Sequence, residues 1–347
     1  MKLPSLAALP LVLLVAAGCG SSSDAQGYAT LKPPSNDATN GGQSVNGGNG
    51  VGAGSTGATG TVGALTTGAM IPVDLTTGGG AGGAPNAEPE VCDGVDNDGN
   101  GIVDDVDEGG DGVCDCLTIG TLGQIGPWSN GGNVFETWLN ARSPLGATDL
   151  GDQVLTTEVL APFQVLVVLH VDTTSVSNDD RTAAAHHEFS ADEATAFGAW
   201  VEAGGGVMTT IGYTGDEAAE VANVNRLLNT LGMGYSATNL DLTGFIDDWD
   251  ADHPVTMGVS NIFTDNGVEP AGTAGIVVAH NAEGMPALEV AETGSGRVVV
   301  WGDEWITYDS EWEDVEEQQV ELFWINILKW LSPPMTCQVP TPPEIIK

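Results

Sequence analysis

The chain has 347 residues, with 8 Lys and Arg against 48 Asp and Glu, a formal net charge of −40, 49 glycines and 5 cysteines. So few bases cannot supply the electropositive footprint that nucleic acid requires, nor a polybasic contact to anionic lipid. The 41% hydrophobic fraction is too high for a wholly disordered chain, and the length accommodates one large domain or two.

Lys2 precedes an apolar run from Leu3 to Ala17. The run falls short of the ~20 apolar residues of a membrane span and ends in small residues, so residues 1–18 read as a secretory signal. Ala16-Ala17-Gly18-Cys19 resembles a bacterial lipobox, with Ala16 where Leu is usual. That resemblance implies cleavage before Cys19 and lipid attached to its sulfur. Gly20 after the cysteine is similar to lipoproteins sent to an outer membrane. Residues 19–87 are dominated by Gly, Ser, Thr, Ala and Asn. They cannot bury enough apolar surface to offset their ordering entropy, so a disordered tether is expected, spanning on the order of 45 Å.

Residues 88–116 form an acidic module, and Cys92, Cys114, Cys116 and Cys337 remain once Cys19 is assigned. Four cysteines in an exported chain suggest two disulfides. Cys114 and Cys116 are too close to pair comfortably with each other. One bridge is therefore expected from Cys92 to Cys114 or Cys116. Cys337 takes the other and staples the C-terminus to the start of the globular domain.

A twelve-residue calcium loop can be laid on this module, with Asp96, Asp98, Asn100, the Ile102 carbonyl, Asp104 and Asp107 at its ligand positions and Gly101 at the sharp turn. Every ligand position then carries an oxygen, as Ca²⁺ requires. Position 12 is Asp rather than Glu, and no amphipathic helix flanks the loop, so it is not a paired sensor hand. The stretch also resembles an acidic metal-binding repeat of bacterial exported proteins, C-D-G-x-D-N-D-C-D-G-x-x-D-E. Cys92-Asp93-Gly94, Asp96-Asn97-Asp98, Gly101 and Asp104 match, whereas Gly99, Asn100 and Asp105 depart from it. The expected role is a structural Ca²⁺ spacer between tether and domain.

Residues 117–335 read as one α/β domain, a flavodoxin-like, mostly parallel sheet with helices on both faces, followed by a tail at 336–347. Gln164–Val171 is a continuous apolar run suited to a buried strand. Ser190 to Glu193 matches a capping box opening a helix that stops at Gly204 to Gly206. Further strands are expected at Val207–Gly212, Ala274–Ala279, Ala287–Val290 and Arg297–Gly302, and further helices at Asp216–Leu231 and Glu313–Leu331.

Four phrases in this order resemble the class I glutamine amidotransferase-like superfamily, especially its non-catalytic and trehalose-utilisation-like branches. They are Trp200 to Met208, Gly212-x-x-Gly215, His253-Pro254 with Gly258, and Gly294 to Asp303. Active members carry a cysteine at the strand-to-helix elbow and a downstream His-x-Glu pair. Here Tyr213 or Thr214 occupies the elbow, and Asp303-Glu304-Trp305 stands where the histidine pair is expected. The resemblance thus implies a domain without amidotransferase chemistry, because the thiolate is the nucleophile.

Ligands of such sheets bind beyond the carboxyl ends of the strands, which selects His170, Asp172, Tyr213, Asp303 and Glu304 as cleft residues. His186-His187-Glu188 could supply metal ligands, but adjacent residues diverge on a regular element and H-E-x-x-H spacing is absent, so a surface loop is expected. Trp249, Trp301, Trp305 and Trp312 lie among acids, which suits either sugar stacking or plain packing. The expected protein is a non-enzymatic lipoprotein of the outer membrane or cell surface. It would bind Ca²⁺ through the acidic loop and a glycan or protein partner, not nucleic acid, through the α/β domain. The alternative is an exported hydrolase using carboxylates in the cleft.

Overall fold

The computed structural model describes residues 88–124, 131–178, 181–211, 217–236, 241–313, 319–334 and 336–338. The signal, Cys19, the tether, Tyr213 and most of the tail lie outside the described residues.

The chain enters through the acidic neck, residues 88–116, and then forms β1 (Ile119–Leu122), α1 (Asn133–Asn140), β2 (Thr148–Asp149), α2 (Thr157–Leu160) and β3 (Val165–Val168). A small hairpin, β4 (Val176–Asn178) and β5 (Arg181–Ala183), precedes α3 (Ala191–Glu202), β6 (Gly206–Thr209) and α4 (Glu217–Leu228). Strands β7 (Leu242–Trp249), β8 (Ile262–Gly267), β9 (Ile276–Asn281), β10 (Pro286–Thr293) and β11 (Gly296–Trp301) follow, then α5 (Asp309–Glu313) and α6 (Val320–Leu331). No described helix is long and apolar enough to cross a membrane.

Nine strands join one sheet in the order β2-β1-β3-β6-β11-β10-β9-β7-β8. The first five are parallel, and β11-β10-β9-β7-β8 pair antiparallel. The sheet is therefore mixed, which corrects the mostly parallel expectation. The reason is local: β10 turns directly into β11 through Gly294 and Ser295, with Thr293 opposite Gly296, and a two-residue turn can only reverse the chain.

Side chains alternate across the strands and divide the core in two. Val165, Val167, Met208, Val299 and Trp301 share one buried cluster with Phe135 of α1 and Phe323, Trp324 and Ile327 of α6. Leu166, Val168, Val207, Val298 and Val300 share the other with Phe197 of α3 and Val221 and Val224 of α4. Both faces are thus covered by helices, as an apolar parallel strand requires.

Helix α3 starts where its capping box closes. Ser190 Oγ accepts from the Glu193 amide, and Glu193 Oε2 accepts from the Ser190 amide at 2.8 Å. Helix α4 is followed by a tight turn over Asn229–Leu231 and ends at Gly232, whose φ of 69° needs no Cβ. Trp301 is fully buried, and Trp249 stacks on it at 6.2 Å between ring centroids. Trp312 packs against the same core. These tryptophans serve packing, the plainer of the two roles their surroundings suit.

The neck is fastened to this core. Val113, Cys114, Cys116 and Leu117 belong to the same buried cluster as Phe135 and Trp324. The disulfides are Cys92–Cys116 and Cys114–Cys337, with Cα atoms 5.3 and 5.1 Å apart. Cys337 also donates its amide to the Val103 carbonyl at 2.9 Å. Arg142 stacks over Trp138 and pairs with Asp111, bringing one of the chain's few cations to the neck.

Candidate functional site

Two groups of polar side chains stand out, one in the neck and one at the carboxyl edge of the parallel strands. In the neck, the sequence makes tight turns because short acidic and amide side chains bond the backbone locally. Asp96 Oδ1 accepts from the amides of Gly99 and Asn100, and its Oδ2 accepts from Gly101. Gly101 takes φ 95°, a left-handed turn conformation that suits glycine, as do Gly94, Gly99, Gly110 and Gly112 in the same segment. The Asn100 side chain accepts from the Ile102 amide and donates to Asp98 and Asp105.

Asp104 accepts from the amides of Asp93 and Gly94, and Asp107 from those of Asp111 and Gly112. Those two carboxylates thus brace other turns. The three that converge are Glu90, Asp98 and Asp105, with one oxygen of each within 4.8 Å of the others. Asp98 is common to the sequence-derived ligand set and this trio; Glu90 and Asp105 were missed. Glu90 lies upstream of the loop register, and its carboxylate folds back to accept from the amides of Asn97, Asp98 and Asp104.

Asp105 Oδ1 is buried without a hydrogen-bond partner among the described residues. Burial raises the Asp105 carboxyl above its ordinary range, and the charges of Asp98 and Glu90 add to this. A trio of like charges with an orphaned oxygen fits a hard divalent cation, which takes carboxylate and carbonyl oxygens. Glu90, Asp98 and Asp105 would hold such an ion.

At the carboxyl edge, His170 follows β3 and Glu304 follows β11, while Glu220 comes from the first half of α4. His170 Nδ1 lies 3.1 Å from Glu220 Oε1, and the same oxygen accepts from the Val171 amide at 3.1 Å. Asn223, one turn further along α4, donates to the carbonyls of Val171 and His187. Tyr308 donates its hydroxyl to Glu304 Oε1 at 3.2 Å.

Five buried atoms of this region have no hydrogen-bond partner among the described residues: His170 Nε2, Asp172 Oδ2, Thr210 Oγ1, Glu220 Oε2 and Glu304 Oε2. Each such atom costs about 1–3 kcal/mol if left unpaired, so the group favours a polar occupant or ordered water. Gly123 is forced here. Its φ is +84°, and a Cβ would stand 2.2 Å from the His170 carbonyl oxygen. A cavity of about 330 Å³ opens beside it, between the ends of β1 and β2 and helix α1, lined by Thr121, Gln124, Glu136, Asn140 and Asp149 among others.

Electrostatics follow from burial. Desolvation alone would lower His170, but the hydrogen bond and charge of Glu220, with Asp172 and Glu304, raise it above the ordinary imidazole range. Burial pushes Glu304 up to about 7, and Glu220 repels its charge further. Burial and the neighbouring Glu304 drive Asp303 well above the usual carboxylate range.

Of the predicted cleft residues, His170, Asp172 and Glu304 are brought together, and the Asp303 carboxyl hydrogen-bonds that of Glu304. Asp303 also fixes the turn after β11. Its Oδ2 accepts from the Asp265 amide at 2.6 Å and its Oδ1 from the Trp305 amide at 3.1 Å. Tyr213 lies outside the described residues. Glu220 was missed because its partner is 50 positions away and it reads as one more polar residue on an amphipathic helix.

The fold and these two groups define an α/β domain carried on a disulfide-stapled acidic neck. No family model and no curated protein matches the chain. Among solved structures, the mmIFT52 N-terminal domain is similar at 14% identity and a TM-score of 0.46, covering 61% of this chain and 96% of that one. Cytoplasmic protein STM1381 from Salmonella typhimurium LT2 is similar at 15% identity and a TM-score of 0.46, covering 62% and 100%. A ThuA-like protein from Bacteroides uniformis is similar at 13% identity and a TM-score of 0.38, covering 61% and 90%.

Proposed function

We propose that this is a non-enzymatic, surface-exposed lipoprotein. Cys19 carries the lipid, residues 20–87 form the tether, the neck binds Ca²⁺, and a flavodoxin-like domain recognises a glycan or protein partner at its carboxyl edge. The observation that carries the reading is the convergence of Glu90, Asp98 and Asp105 with a buried, unpartnered Asp105 oxygen, in a neck locked to the domain core. A cation there would relieve the like-charge repulsion and stiffen the junction between tether and domain. The order β2-β1-β3-β6-β11 matches the flavodoxin-like order when the parallel strands are counted in sequence. The 330 Å³ cavity lies at the β1 carboxyl end, beside the β1/β3 switch point where such sheets take ligands. The four cysteines beyond Cys19 are held in disulfides, which leaves the β6–α4 elbow without a thiolate nucleophile.

Calorimetric titration of the full exported chain tests the cation. Saturable binding is expected, with a Kd on the order of 10⁻⁴–10⁻³ M as in extracellular modules. Asp98→Asn should weaken it in either ligand set. Loss with Asp105→Asn selects the Glu90–Asp98–Asp105 trio, and loss with Asp107→Asn selects the loop register. No heat at millimolar Ca²⁺ defeats the proposal. For the anchor, Cys19→Ala should release the chain from membranes into the soluble fraction; continued partition with membranes contradicts lipidation at Cys19.

The second reading, an exported hydrolase, draws on Glu304, a carboxyl that burial pushes up to about 7 beside His170 and Glu220. Turnover of a glycoside or ester panel that Glu304→Gln abolishes would favour it over the binding role.

A further inference from the structure

His186 and His187 precede the Ser190 cap in a segment without regular structure, so the divergence of neighbours on a helix or strand does not apply to them. Their rings stack at 4.6 Å between centroids, 28° from parallel. Both Nδ1 atoms approach one oxygen, Asp152 Oδ1 in the loop after β2, which also accepts from the His187 amide at 2.8 Å: His187 Nδ1 is in contact with it, and His186 Nδ1 lies 3.5 Å away and 3.0 Å from the His187 carbonyl oxygen, a contact that a metal would replace. Asp152, His186 and His187 each bring one ligand atom within 4.8 Å of the others.

The surrounding groups are arranged as around a metal-bound imidazole. His187 Nε2 lies 2.7 Å from Glu193 Oε1. Glu193 is itself buried and fixed, accepting from the amides of Ser190 and Leu155. A ligating histidine commonly gives its second nitrogen to a carboxylate, which sets its tautomer and ring plane. His186 is only 7% exposed, and its Nε2 has no hydrogen-bond partner among the described residues. Donors around a tetrahedral zinc stand about 3.4 Å apart, from ligand bonds of about 2.1 Å; the His186–Asp152 separation is close to this, and Asp152 would draw back from His187 Nδ1 to admit the ion.

The geometry points to a transition-metal site of the Zn²⁺ type, formed by Asp152, His186 and His187, with Glu193 positioning His187. Two imidazoles and one carboxylate prefer such a metal to Ca²⁺ and leave a fourth position for water or a ligand oxygen. The site is tied to the carboxyl edge: the His186 amide donates to the Asp172 carbonyl at 2.7 Å, and Asn223 donates to the His187 carbonyl. It shares no residue with the acidic neck, so it stands or falls separately from calcium binding.

The test is Zn²⁺ titration of the full chain at neutral pH. Ca²⁺ in large excess over its Kd occupies the neck, and Cys19→Ser leaves a chain with neither lipid nor a free thiol. One equivalent of Zn²⁺ is expected to bind. His187→Ala and Asp152→Asn should each weaken it about tenfold or more, and Glu193→Gln should weaken it about tenfold. Histidine-selective NMR of the unsubstituted chain covers the case of a variant that fails to fold. Zn²⁺ should shift the His186 and His187 ring signals, and Co²⁺ should broaden them, leaving His253 and His280 unchanged. Absence of saturable binding, binding that survives His187→Ala, or ring signals unmoved by the metal would each overturn the site and leave His187 as an imidazolium between two carboxylates.

Discussion

Glu304 makes the clearest residue-scale prediction. Its ordinary value is 4.5 and burial carries it to about 7, so between these values the unfolded chain has lost a proton that the folded chain keeps. Folding then binds protons, and stability falls as pH rises through that window. The penalty is fully present above it, and Asp303, raised beside Glu304, adds to it. His170 acts in the same direction: its raised value contributes stability below about 6.5 that is lost as pH rises through the folded value. Glu304→Gln should therefore stabilise the protein relative to wild type at pH 8 and change little near pH 4.5. Denaturant midpoints for the two proteins at both pH values check this, and equal differences at the two would contradict it. At this scale the sequence showed which residues end the strands, hence His170, Asp172, Asp303 and Glu304. It did not show their shared partner Glu220, because which face of α4 meets the sheet is decided by packing. The same limit applies to Glu90 and Asp105, whose convergence with Asp98 depends on how the disulfide-closed loop folds back.

Elements that satisfy their own ends and faces were legible. The run Gln164–Val171 contains β3, and the box from Ser190 to Glu193 opens α3. Ser190→Ala should cost about 1 kcal/mol, because it removes the acceptor for the Glu193 amide at the start of α3. For a domain of this size that lowers the melting temperature by about 2–4 °C, measurable by calorimetry. Strands β7 and β8 were not legible. Leu242–Trp249 contains Gly244, Asp247 and Asp248, and its pairing is broken by bulges between Leu242 and Gly244 and between Ile246 and Asp248. Bulges shift the period-two alternation from which a strand is recognised. The antiparallel half was missed for a related reason. The turn at Gly294 was visible, but which strand it returned beside was not.

For the whole molecule, the Cys114–Cys337 bridge closes a separation of 223 residues. Chain-entropy arguments assign such a crosslink roughly 5 kcal/mol, as an upper bound. The double variant Cys114→Ser with Cys337→Ser should lower the melting temperature and weaken Ca²⁺ binding together, since the neck is then held to the core by noncovalent contacts alone, those of Val113 and Leu117, the Arg142–Asp111 pair and the Cys337 amide bond to Val103 among them. Unchanged calcium affinity in that variant would mean the loop is ordered without the domain. The nesting of the bridges also has a mechanical meaning. A pull applied to the chain at Glu88 reaches Cys92, crosses its sulfur to Cys116, and is shared through Cys114 with the end of α6. Residues 93–113 lie off that path, as slack beside a taut line. On the proposed surface anchor, drag would then be carried by covalent bonds into the core, and the proposed calcium ligands Asp98 and Asp105 would keep their spacing under tension.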